Sequence, residues 1–316
     1  MRKIIEYFNK NRKKILLIFL AIVLFIIVTR ILNVIIKDNT IEEGKNTANT
    51  LKDTTLPTET IISDTEISVE RAKDNKQIIE NFVQACNNKQ YESAFAMISN
   101  DCKLIVFSGN ISNFINNYCN KVFSTSRTYK LEAWFENDDN ITYKINYLED
   151  NILATGGVNL NELNYMDYIT IVYKSNLLNI GEFVDETNIS RKTSIKDIEV
   201  QVNKKKTFIN YAIYNFKIKN NTDKTILLSD YSDSKQICLI SEYDSENISY
   251  LNEVPITNLI INSGEEKVID IKFDKGYGSG AKTDKIKFKN IYLDYNEYKQ
   301  NPNDENLEKV EIEIKL

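Results

Sequence analysis

Polar and apolar positions along this chain change their period several times, and each change predicts an element. Residues 15–36 are apolar with few interruptions: Ile15 to Val28 carries no charge, and the run resumes after Thr29 and Arg30. Its 22 positions suffice to cross a ~30 Å hydrocarbon core at ~1.5 Å per residue. Arg2, Lys3, Lys10, Arg12, Lys13 and Lys14 precede it. Such a flank predicts a cytoplasmic basic tail (1–14), a transmembrane helix (15–36) and residues 38–316 outside. The run exceeds the ~7–15-residue core of a cleaved signal peptide, and no small-x-small site follows, so the anchor is expected to be retained.

Residues 37–69 are rich in Thr, Asp, Glu and Asn without a lasting period, and read as a flexible stalk. A helical period begins near Ser68. It places Ile78, Ile79, Phe82, Val83 and Cys86 on one stripe. A second, shorter helix carries Tyr91, Ala94, Phe95 and Ile98. A third, from Ser112 to Phe123, turns Phe114, Ile115, Tyr118, Cys119 and Val122 inward. The period then becomes two. Tyr129 to Phe135 and Ile141 to Tyr147 alternate around the turn Asn137-Asp-Asp-Asn140, and Ile152 to Val158, Tyr165 to Tyr173 and Leu177 to Phe183 follow.

This order resembles the cone-shaped α+β fold of nuclear transport factor 2, helices followed by a curved antiparallel sheet, over residues 70–185. The similarity lies in Asn81-Phe-Val-Gln-Ala-Cys-Asn-Asn-Lys-Gln-Tyr-Glu-Ser-Ala-Phe95, a helix ending in a polar turn before aromatic-x-x-Ala-aromatic. It lies also in Tyr168-Ile-Thr-Ile-Val-Tyr-Lys174 with the closing segment Leu178-Asn-Ile-Gly-Glu-Phe183. The resemblance implies a pocket between helices and sheet, and some such folds are enzymes with an Asp base or a Tyr–Asp oxyanion site. Tyr118, Trp134, Tyr143, Tyr147 and Asp167 are the candidate lining residues. The competing reading is that the aromatics fill the fold and Asp167 caps a turn.

Asp185 to Thr193 is polar and reads as a linker. From Ile195 onward only strand signals occur: Ile198, Val200 and Val202 alternate, as do Phe208 to Lys219, and four further candidates end at Val310 to Leu316. They predict an all-β sandwich over 195–316. Tyr214-Asn-Phe-Lys-Ile-Lys-Asn-Asn-Thr-Asp-Lys-Thr-Ile-Leu-Leu228 resembles immunoglobulin-like accessory domains of bacterial surface proteins, without a Cys–Trp–Cys framework.

Charge sharpens the picture. The net charge is −5, while residues 1–30 alone carry +6, so the remainder is acidic. That argues against a nucleic-acid partner. There is no histidine, which removes Ser-His-Asp and Cys-His catalysis and His-bound zinc or haem. Cys86, Cys102, Cys119 and Cys238 form no C-x-x-C pair and read as buried thiols, one bridge among the first three being the alternative. Asn137-Asp-Asp-Asn140, Asp230-Tyr-Ser-Asp-Ser234 and Asn301-Pro-Asn-Asp-Glu-Asn306 lack the pattern of a calcium loop. Gly276-Tyr-Gly-Ser-Gly280 lacks the Lys-Ser/Thr of a phosphate loop and reads as a mobile sandwich loop. No catalytic residue, metal ligand or cofactor site is assigned.

Together these features predict a single-pass membrane protein of the Gram-positive-type cell envelope, its bulk extracytoplasmic. It is expected to act as a non-catalytic scaffold or sensor for envelope or membrane proteins, held in the bilayer through residues 15–36. One alternative is an accessory subunit of a conjugative type IV secretion channel, whose cone-fold subunit is similar over residues 1–185 but does not normally end in a sandwich. The other is a protein binding a small ligand or lipid within the cone.

Overall fold

The structure, a computed structural model, describes residues 59–60, 67–149, 165–278 and 282–316, which fall within one compact unit, Thr55–Leu316. The helix expected at 15–36 and the strand expected at 152–158 lie outside the described residues.

The first layer is helical. α1 (Val69–Asn87) starts at Ser68, whose hydroxyl accepts from the Arg71 N–H at 3.2 Å, and buries Ile79, Phe82, Val83 and Cys86. α2 (Tyr91–Ala96) follows. α3 (Asn100–Phe107), capped by Ser99, has no counterpart in the expected elements: its apolar residues follow no clean stripe, and Leu104 and Val106 face solvent. α4 (Ile111–Phe114) runs on through a π-helical turn (Ile115–Cys119) and a last turn (Asn120–Val122). The wider turn lets consecutive residues Tyr118 and Cys119 both point inward.

These helices back a sheet of β1 (Glu59–Thr60), β2 (Arg127–Glu136), β3 (Asn140–Glu149), β4 (Tyr165–Val172) and β5 (Leu177–Ile180), in that order. β1 lies parallel to β2, within the segment read as a stalk; the other pairs are antiparallel. Ser99 ties the layers together: its N–H donates to the Leu178 carbonyl at 2.8 Å and its hydroxyl bonds Asn179.

β6 (Phe183–Ile195) occupies the segment expected to be a polar linker. It pairs with β7 (Ile198–Phe208) along its length, through a two-residue turn whose Lys196 and Asp197 both have positive φ. Such turns usually announce themselves with Asn or Gly; Lys-Asp does not, so the hairpin was illegible. β7 continues to β8 (Ala212–Asn220) and β13 (Glu266–Phe273), giving a sheet in the order β13-β8-β7-β6.

Facing it is a third sheet in the order β11-β10-β14-β9-β12: β9 (Ile226–Leu227), β10 (Ile237–Ser241), β11 (Glu246–Asn247), β12 (Ile260–Ile261) and β14 (Thr283–Tyr292), with β15 (Lys309–Lys315) on β14. The core between them holds Val200, Val202, Tyr214, Phe216, Phe273, Ile286, Phe288 and Ile312. Asn220, fully buried, staples its edge. Its side-chain amide donates to the carbonyls of Lys224 (2.8 Å), Ile261 (3.0 Å) and Asn262 (3.1 Å), and its oxygen accepts from Thr222.

The fold class expected from sequence is therefore corrected. Among the described residues no helix is long and apolar enough to cross a membrane; the longest, α1, has an exposed polar face. The protein described is mostly β, with three sheets in one compact unit and helices concentrated in residues 69–122. Of the loop at 276–280, expected to be mobile, residues 276–278 are packed, and 279–280 lie outside the described residues. Tyr277 meets Phe135 edge-on at 4.4 Å and its hydroxyl donates to Asn140 Oδ1 at 2.6 Å. Gly278 has φ +73°, and a Cβ there would lie 3.0 Å from the Phe135 ring.

Candidate functional site

Of the five candidate residues, the structure brings three together. On β3, Tyr143, Ile145 and Tyr147 share the helix-facing side; on β4, Asp167, Ile169 and Ile171 do, with Ile145 opposite Asp167. Tyr118 comes down from the π-helical turn of α4, and its hydroxyl shares a 3.1 Å hydrogen bond with that of Tyr147. Asp167, 8% exposed, lies beside this pair, and its Oδ2 is buried without a hydrogen-bond partner.

Burial raises the Asp167 carboxyl to about 6, against the opposing pull of the Tyr168 N–H and the Tyr118 hydroxyl, with Glu182 adding a small upward push. Tyr118 and Tyr147 are raised first by their own burial and then by neighbouring charge, Asp167 included. The hydroxyls therefore stay protonated and are donors, and the carboxyl changes charge near neutrality. Such an arrangement can accept a hydrogen bond or a positive charge from a small polar group. In geometric terms it can also take a proton.

Tyr143 is elsewhere. It stands four residues along β3 from Tyr147, ~13 Å at ~3.3 Å per residue, and its hydroxyl accepts from the buried Asn75 amide of α1 at 3.0 Å. Burial pushes it to about 12. Trp134 lies on β2 opposite Tyr143 in register; its side chain is outside those described.

The rest of this interior is aromatic. Phe82 and Phe114 lie 6.4 Å apart, Phe114 stacks on Tyr118 at 5.8 Å, Tyr118 meets Phe123 at 6.1 Å, and Phe123 meets Tyr147 edge-on at 5.2 Å. Buried Cys86 and Cys119 adjoin this chain as free thiols, and Cys119 holds the Cys86 thiol far above its ordinary range. Cys102, also free, is pushed up to about 12 by burial. Sequence reasoning missed Asn75, a polar residue on the otherwise apolar stripe of α1, three and four positions before Ile78 and Ile79. That interruption was the available signal.

The acidic turn at residues 230–234 is an internal hub. Asp230 accepts from the Tyr292 hydroxyl at 2.7 Å, the Ser232 N–H at 3.0 Å and the Gln236 amide at 2.5 Å. Burial works against its charge, but these donors win and hold it at about 2.

No family model, curated protein or solved structure matches this chain.

Proposed function

We propose that this protein is a non-catalytic binding component of the cell envelope, a scaffold or sensor held at the cell membrane through apolar residues 15–36, with its folded unit on the extracytoplasmic side. The observation that carries the binding reading is the continuous run of ring contacts from Phe82 through Phe114, Tyr118 and Phe123 to Tyr147. These rings occupy much of the space between the helices and the sheet, which supports recognition at the outer surface. Leu104, 64% exposed, and Val106, 40% exposed, on α3 are apolar side chains available to such a partner. Photo-cross-linking amino acids at 104 and 106 in producing cells are expected to give discrete adducts with membrane or wall proteins. Adducts at neither position, with the protein present and folded, would refute an α3 partner. Adducts with secretion-channel subunits would favour the conjugative alternative.

A second reading has one observation in its favour. Asp167 Oδ2 is buried and unpartnered beside two tyrosine hydroxyls, a place for the donor group of a small ligand. Native mass spectrometry of the purified protein is expected to show a bound mass that Asp167→Asn abolishes if this reading holds, and the bare chain mass if it does not.

A further inference from the structure

β7 carries three consecutive lysines, and a bulge decides where they point. Ile198, Val200 and Val202 face the sandwich core, so strict alternation would send Lys204 and Lys206 inward. The register shifts between Val202 and Lys204, and Lys205 instead pairs with core-facing Tyr214 while buried Thr207 pairs with Ala212. Lys204 pairs with Glu186 at 3.0 Å. Lys205 has no ion pair or hydrogen bond among the described residues.

Lys205 lines an open cleft of about 520 Å³ at the end of the sandwich, walled by Phe135 and Tyr277. Lys275 and Thr283 line it too, and Thr283 Oγ1 is buried without a hydrogen-bond partner. The acids whose charge bears on this pair of lysines are Asp185, toward Lys205, and Glu242, toward Lys275. Neither makes an ion pair with Lys205. An ammonium group drawn partly out of water is stabilised by added negative charge at close range. Burial lowers Lys205, and burial together with the Lys205 charge lowers Lys275. A compact anion beside Lys205 would add to the pull of Asp185.

We propose that this cleft holds the anionic group of a small ligand, a carboxylate or a phosphate, on the Lys205 ammonium, with the Thr283 hydroxyl as a second donor. The site is separate from the Asp167 cluster and does not depend on the function proposed above. Phe135 and Tyr277 would flank the remainder of the ligand, and the Tyr277 hydrogen bond to Asn140 fixes that wall.

The test is an amide NMR titration of the full chain in detergent with inorganic phosphate and, separately, succinate, at constant ionic strength in chloride. Saturable shifts of the Thr283 and Tyr214 amides are expected with at least one probe. Saturation by phosphate alone identifies a phosphate site, and by succinate alone a carboxylate site. Lys205→Met should weaken binding at least tenfold and Thr283→Val, which keeps the side-chain shape, several-fold. Lys206→Met, one position along the strand, should leave it unchanged. The spectra show whether each variant is folded. Absence of saturation with both probes overturns the proposal, as does binding by Lys205→Met and Thr283→Val at the wild-type affinity.

Discussion

Asp167 should make the folded state weaker as pH rises, the reverse of the usual carboxylate. Its carboxyl titrates at about 6 when folded and near its ordinary 3.8 when unfolded. Between those values the native state holds a proton that the unfolded state has released, so raising the pH favours unfolding. The favourable contribution is complete below about pH 4, is lost progressively as pH rises to about 6, and stays absent above. Two units at ~1.36 kcal/mol each give about 3 kcal/mol, applied without a solvent discount because the residue is only 8% exposed. Asp167→Asn removes the titration and preserves the shape. Urea unfolding of the 55–316 unit should be followed for both proteins from pH 4 to pH 8. The stability of wild type relative to the variant is expected to fall by about 3 kcal/mol across pH 4–6 and then level off, with all other titrating groups cancelling in the difference. A difference that does not vary with pH, or one that moves in wild type's favour as pH rises, would refute the reasoning that burial governs this carboxyl.

Three other outcomes follow from the packing. Phe82 is fully buried against Phe114 and Tyr118, and Phe82→Ala should cost ~3–5 kcal/mol in the same unfolding assay; a loss below ~1 kcal/mol would place that face of α1 outside the core. Asn220→Ala removes the amide's bonds to the buried Ile261 carbonyl and the part-buried Lys224 and Asn262 carbonyls, and the acceptor of the Thr222 donors, and a loss of ~2–4 kcal/mol is expected from several unmet hydrogen bonds at ~1–3 kcal/mol each, whereas near-neutral behaviour would mean that water replaces the amide. The four cysteines are buried and unpaired, so a thiol reagent should label the folded unit slowly and all four positions at once after denaturation; fewer than four reactive thiols under non-reducing denaturation would reveal a bridge.

The periodicity of the chain was enough to set several elements. Ile79, Phe82, Val83 and Cys86 recur at helical spacing because one face of α1 must leave water. Tyr143, Ile145 and Tyr147 alternate because a strand shows successive side chains to opposite sides. Tyr118, Tyr147 and Asp167 could be chosen as candidates on residue type and predicted facing alone. Their meeting could not: it needs the π-helical turn that swings Tyr118 inward and the register that sets Asp167 across from Ile145, and register is a relation between strands that neither strand's own pattern contains. β6 hid in a polar segment because an outer strand facing water has little apolar alternation to display, and its Lys196-Asp197 turn carries no Gly or Asn signal. The bulge after Val202 is the sharpest case. Three consecutive lysines show no apolar alternation, yet one extra residue in the ladder turns Lys205 to the side of core-facing Tyr214, a consequence of pairing geometry that composition cannot express. Local sequence thus determined which side chains must be shielded from water, while tertiary pairing determined which polar groups were shielded along with them, because burial of a polar side chain is imposed by its neighbours and not by its own chemistry.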